Sequence, residues 1–222
     1  MSTVQPPFAL LPAQQAALAK VACVVTRPGS LALLCGPHGT GKTTLLTRLV
    51  ADERLRDRSI EHRDFEGWAV VSDASAAGLP DVVLVDDAHL APDGGLARLV
   101  GRCLRRTGTS IVLAGEGRLL SLVARDSRVE QAVTLRASLR PCSPAESRGL
   151  LDAVLPLATC ARPDADDRDP VARTIHEITA GIPADIVRLA GLAGVVAASR
   201  IAPHIGVDDV EALHRRLSPR AA

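Results

Sequence analysis

The eight residues Gly36-Pro37-His38-Gly39-Thr40-Gly41-Lys42-Thr43 constrain this chain more than any other stretch. Gly36, Gly39 and Gly41 let the backbone curl tightly with its N–H groups turned inward, a shape that side chains would obstruct. The apolar run Leu31–Cys35 precedes the stretch and reads as a buried strand; residues 43–53 follow as a helix with Leu45, Leu46, Leu49 and Val50 apolar. A strand, a glycine loop and a helix in that order converge backbone donors and the positive helix end, about half a charge, on one point. This is the pattern of a phosphate cradle. Its candidate binding residues are Gly36, Pro37, His38, Gly39, Thr40, Gly41, Lys42, Thr43 and Thr44. Lys42 is placed to reach β- and γ-phosphates and Thr43 to offer a hydroxyl to Mg²⁺. His38 falls at a variable loop position and reads as solvent-facing.

Composition sharpens the role of Lys42. Of 26 basic residues, only Lys20 and Lys42 are lysines. A chain that uses arginine for nearly every cation keeps a lysine where a compact ammonium is wanted and a planar guanidinium would not fit. The net charge of +1 argues against a strongly basic nucleic-acid binder. Three arginine groups, Arg54/Arg56/Arg58, Arg102/Arg105/Arg106 and Arg215/Arg216, remain as DNA contacts or as solvated helix faces. A hydrophobic content of 47% excludes a disordered chain. The five cysteines, Cys23, Cys35, Cys103, Cys142 and Cys160, form no C-x-x-C pair. They read as buried hydrophobes of a reducing compartment. No basic segment followed by an apolar run opens the chain, and the longest apolar stretch, 189–198, is too short to cross a bilayer. A cytoplasmic protein without a membrane segment is expected.

A second motif lies 44 residues after Lys42: the apolar run 82–85 ends in Asp86-Asp87. Asp86 is the candidate to orient Mg²⁺ beside Thr43, making these two the metal-binding pair. Asp87 reads as a working base, a weak base or a helix cap. It is one methylene shorter than the glutamate such a site favours, and a misplacement of about 1 Å can cost roughly a hundredfold in rate. His89 reads as a turn residue or as a sensor of the nucleotide. The chain has no Asn, and Lys20 lies upstream of the loop, so an N-K-x-D guanine motif is absent. ATP is the expected nucleotide.

The remaining pattern divides the chain. Residues 12–25 read as a helix with Pro12 in its first turn. Residues 54–80 are polar and ambiguous, with 68–71 as a strand. Residues 95–106 read as a helix, 111–114 as a buried strand, 118–124 as a helix, and a short element precedes Pro141. Beyond Pro141 no strong strand run appears. Ser143-Pro144-Ala145-Glu146 is a capping box opening a helix to about residue 154. An acidic, proline-flanked loop covers 161–170, and helices follow over 171–180, 183–200 and 207–217. The expected organisation is a lead-in at 1–11, an αβα phosphate-binding core at 12–140, a helical domain at 141–218 and a tail at 219–222.

This order of motifs resembles the AAA+ P-loop ATPases, most of all the ExeA (general secretion pathway protein A) type and the related TniB-like transposition helpers. The residues that carry the resemblance are GPHGTGKTTLL (36–46), VVLVDDAHL (82–90), VLAGEGRLL (112–120), LRPCSPAE (139–146), TAGIPADIVRLAGLAGVVA (179–197) and VDDVEALHRRL (207–217). The resemblance implies an α/β fold, a parallel-sheet core with a C-terminal helical lid, binding ATP and Mg²⁺. It implies a nucleotide-dependent conformational and oligomerisation switch, with ATP hydrolysed to ADP and phosphate, and a second copy or another protein as partner. The alternatives are a DNA-linked helper of the transposition type, a non-hydrolysing ATP-binding scaffold and a small-molecule kinase. Glu116 takes the place of a polar sensor after its strand. Ala184 stands where a sensor arginine is usual, with Arg188 one turn later. A trans-acting arginine belongs in 124–136, where Arg125, Arg128 and Arg136 are candidates and the direct alignment gives Ala132. Asp87, Lys42, Glu116 and Arg128 are thus the expected catalytic group.

Overall fold

The computed structural model describes residues 10–69, 79–105, 108–155, 168–199 and 205–217. Helix α1 (Pro12–Val25) opens with proline at its first turn and buries Ala17, Val21, Ala22 and Val25 on one face. Strand β1 (Leu31–Cys35), wholly buried, leads through the glycine loop to α2 (Lys42–Val50). Then come β2 (Ile60–Asp64), α3 (Phe65–Ala69), β3 (Val82–Asp86), α4 (Gly95–Arg105), β4 (Ser110–Gly115), α5 (Gly117–Ala124), α6 (Ser127–Ala132) and β5 (Val133–Ser138). Four helices follow: α7 (Pro144–Val154), α8 (Arg168–Thr179), α9 (Pro183–Ala198) and α10 (Val207–Leu217).

The five strands form one parallel sheet in the order β2-β3-β4-β1-β5. A parallel sheet is covered on both faces, so its central strands are apolar throughout. Side chains alternate between the faces. On one face Leu31, Leu33, Val83, Val85, Ile111 and Leu113 pack with Leu99 and Val100 of α4 and Leu119 of α5. On the other, Ala32, Leu34, Leu84, Val112 and Ala114 pack with Val21 of α1 and Leu45, Leu46 and Leu49 of α2.

The structure departs from the sequence expectations where apolar patterning is weak. Both outer strands of the sheet lack a continuous apolar run. Strand β2 is half-buried to exposed, and β5 alternates, with Ala137 its only buried residue. The expected strand at 68–71 is instead, as far as Ala69, the short helix α3; residues 70 and 71 lie outside the described residues. Asp64 Oδ1 accepts from the Gly67 N–H at 2.7 Å and so turns the chain directly after β2. Trp68 is buried, and its indole N–H donates to the Leu84 carbonyl at 3.0 Å. Helix α8 starts at Arg168, inside the expected acidic loop, of which 161–167 lie outside the described residues. Of the cysteines, Cys35, Cys103 and Cys142 are buried and form no disulfide, and burial pushes the Cys103 thiol up to about 11. Cys23 is exposed, because α1 turns that position away from its buried face; Cys160 lies outside the described residues. No helix among the described residues is long and apolar enough to cross a membrane.

By internal contacts the chain forms two compact units, Met1–Arg140 and Pro141–Ala222. In the second, Ser143 Oγ accepts from the Glu146 N–H and Glu146 returns the bond to the Ser143 N–H at 2.7 Å, completing the capping box of α7. The Gly-Ile-Pro turn joins α8 to α9. Gly181 has φ +71°, its N–H donates to the His176 carbonyl at 3.0 Å, and its carbonyl accepts from the Cys142 N–H at 2.8 Å. A Cβ at Gly181 would stand 2.5 Å from the Cys142 carbonyl oxygen. Gly181→Ala therefore adds about 1–2 kcal/mol of left-handed strain to a backbone clash. We expect a lower denaturation midpoint for the variant in urea titration; a wild-type midpoint would refute this account of the turn.

Candidate phosphate-binding site

In a parallel sheet every strand ends at the same edge, and β4 lies between β1 and β3. The glycine loop after β1, Asp86-Asp87 after β3 and Glu116 after β4 therefore meet, although the chain separates them widely. Gly39 and Gly41 hold the loop with φ of +76° and +92°. Thr40 is buried, and its hydroxyl donates to the Pro37 carbonyl at 2.8 Å. Lys42, only 7% exposed, folds its ammonium back to donate to the Gly36 and Pro37 carbonyls, each at 2.9 Å. Three ammonium donors are available, so one is left for a phosphate oxygen. Thr43 and Thr44 stand in the first turn of α2, whose N–H groups have no intrahelical acceptors.

The two candidate metal ligands touch. The Thr43 hydroxyl donates to Asp86 Oδ2 at 2.6 Å, and Asp86 Oδ1 accepts from the Asp87 N–H at 3.0 Å. His62 Nε2 lies 3.8 Å from Asp86 Oδ2. Burial pushes the Asp86 carboxyl up, but the imidazole of His62, the Thr43 hydroxyl and the Asp87 N–H together bring it below its ordinary value. An ionised carboxylate beside a hydroxyl is a hard oxygen pair. It fits Mg²⁺, which takes one or two protein oxygens and fills its octahedron with water and phosphate. No cluster of three or more His, Cys, Asp or Glu suited to a metal occurs among the described residues.

Asp87 has φ +48°, and its side chain is 53% exposed. It stands at the N-cap position of the short turn Ala88–Leu90, where its side chain makes no capping hydrogen bond. Glu116 stands at the start of α5, with Oε1 3.7 Å from His38 Nδ1 and 4.0 Å from His89 Nε2. The His38 side chain faces solvent, 96% exposed. His89 lies in that turn and is mostly buried, and its Nδ1 has no hydrogen-bond partner among the described residues.

Arg128 is exposed on α6, where its backbone N–H donates to the Asp126 cap at 2.9 Å. Arg125 pairs with Asp93 at 3.3 Å and Arg136 with Glu130 at 2.5 Å. In the second unit, Ala184 is exposed and Arg188 pairs with Asp185 at 3.0 Å. Two residues at the site were invisible to sequence reasoning. His62 lies on a strand that carried no apolar signal, and Gln14 was one polar residue in an ordinary helix. Gln14 Nε2 donates to the Thr40 carbonyl at 2.9 Å.

No protein-family model matches the sequence, and no curated protein matches it. Solved structures do. A point mutant of RuvB from Thermotoga maritima superposes with a TM-score of 0.68 at 17% identity, over 97% of this chain and 74% of that one. T. maritima RuvB, described as a Holliday junction branch migration motor, gives 0.63 at 17% identity, over 92% and 69%. Aeropyrum pernix Orc1 in complex with DNA gives 0.64 at 18% identity, over 97% and 68%. At these identities the likeness is one of fold: the chain shares with these structures an α/β core built on a five-stranded parallel sheet, followed by a helical unit.

Proposed function

We propose that this protein binds Mg²⁺-ATP at the glycine loop and uses the nucleotide as a conformational and oligomerisation switch, hydrolysing it slowly. The observation that carries the reading is the Thr43–Asp86 contact of 2.6 Å beside a lysine folded into the loop. It joins the phosphate-binding and metal-binding candidates of two distant motifs. When bound, Mg²⁺ neutralises phosphate charge. Lys42 grips the β- and γ-phosphates, the loop N–H groups surround them, and Asp86 and Thr43 hold the ion. Slow turnover is supported by Asp87, whose short side chain is half in solvent, and by Ala132 in the place aligned with a trans-acting arginine. Arg128, exposed on α6, is the candidate to reach the nucleotide of a second copy. The motif resemblance to ExeA-type and TniB-like ATPases belongs to the same proposal.

Lys42→Ala removes a charged hydrogen bond worth about 1.5–3 kcal/mol. Calorimetric titration should show ATP affinity falling roughly ten- to hundredfold; unchanged affinity would sink the assignment. Phosphate release by wild type should be slow, and Asp87→Glu should raise it on the order of tenfold by lengthening the base. A wild type already turning over briskly would refute the slow-hydrolysis reading.

A DNA-linked role is the second reading, favoured by the fold shared with a branch migration motor and with an Orc1 protein solved on DNA. In a gel shift, binding to duplex DNA should require ATP and weaken steeply with salt. No shift with ATP at low salt would remove this reading.

A further inference from the structure

One of the bonds to the glycine loop comes from outside it. Gln14, in the first turn of α1, is only 8% exposed, and a polar side chain so buried needs partners for its amide. It has them at both ends. Oε1 accepts from the Leu11 N–H at 3.0 Å, and Nε2 donates to the Thr40 carbonyl at 2.9 Å.

The second bond fixes a peptide plane. No cis peptide occurs among the described residues, so the Thr40–Gly41 peptide is trans, and its C=O and N–H point in opposite directions. With the Thr40 oxygen held toward α1, the Gly41 N–H is turned away from α1. It takes no acceptor among the described residues, and it lies directly before the free N–H groups of the first turn of α2. The side chain of Gln14 also occupies the space beside Gly41: a Cβ there would stand 2.5 Å from Nε2. Gly41 is therefore required twice, by its φ of +92° and by the amide against it.

We propose that Gln14 is a positioning residue of the phosphate site. Its amide holds the Thr40–Gly41 peptide so that the Gly41 N–H faces the bound phosphate, which pre-organises the cradle before the nucleotide arrives. The proposal rests on the nucleotide-binding reading above. The bond acts on the loop and not on the base or sugar, so its effect extends to any ligand with a chain of phosphates.

The test uses the full chain, with affinity for Mg²⁺-ATP and for Mg²⁺-tripolyphosphate measured by calorimetry beside the ligand-free melting temperature. Gln14→Glu keeps the shape but sets a carboxylate against the Thr40 carbonyl. Gln14→Leu keeps much of the volume and removes the donor. Gln15→Leu is the control, since Gln15 lies on the same helix and its side chain donates to the Leu10 carbonyl at 2.9 Å in a solvent-exposed bond, away from the loop. We expect both Gln14 variants to lose about tenfold in affinity for both ligands, more than their lowered melting temperatures account for, while Gln15→Leu binds like wild type. Wild-type affinity in both Gln14 variants would overturn the proposal alone. So would a loss for ATP without a loss for tripolyphosphate, or a loss no larger than the drop in melting temperature explains. If wild type binds neither ligand, the nucleotide-binding reading falls and this proposal falls with it.

Discussion

The parallel pairing of β1, β4 and β3 is the constraint on which the rest of the site depends. It brings the carboxyl ends of three strands to one edge, where the glycine loop, Asp86-Asp87 and Glu116 emerge side by side. The pairing requires both faces of the sheet to be covered, and α1 and α2 on one side and α4 and α5 on the other supply that cover. Burial of these strands thus does two jobs with one set of residues: it stabilises the core and fixes where the polar strand ends stand.

Within that frame the loop keeps its shape by satisfying its own polar groups. Lys42 donates to two loop carbonyls, the Thr40 hydroxyl to one of the same pair, and Gln14 to a third. The groups left over are N–H donors and part of an ammonium, all suited to an anion. Across the site, Asp86 stays ionised despite burial because a hydroxyl, an N–H and an imidazole surround it. Positive and negative halves are thereby held a hydrogen bond apart at Thr43, which is where a phosphate-bound cation fits.

Much of this was legible in the sequence because it was written in runs of like residues. Strands β1, β3 and β4 announce themselves as continuous apolar stretches, and the glycine loop by its spacing. The capping box at Ser143 and the glycine stop at Gly181 were equally plain. Strands β2 and β5 were not, since a strand at the edge of a sheet needs only partial burial and leaves no such run. Trp68 read as part of a strand because a large apolar side chain suits either element; the Asp64 turn decided for a helix.

The sequence by itself determined the side chains on offer: a glycine loop with its lysine and threonine, and an aspartate at a strand end to face them. Those features are local, set by the φ freedom of glycine and the burial of a few consecutive residues. Only the tertiary structure decided which distant side chains complete the site. Gln14 reaches the loop across 26 residues of chain, and His62 reaches Asp86 from a neighbouring strand. It also decided that Asp87 turns half into solvent while His89 is covered. Such contacts follow from strand order and helix packing, which no single stretch of sequence contains.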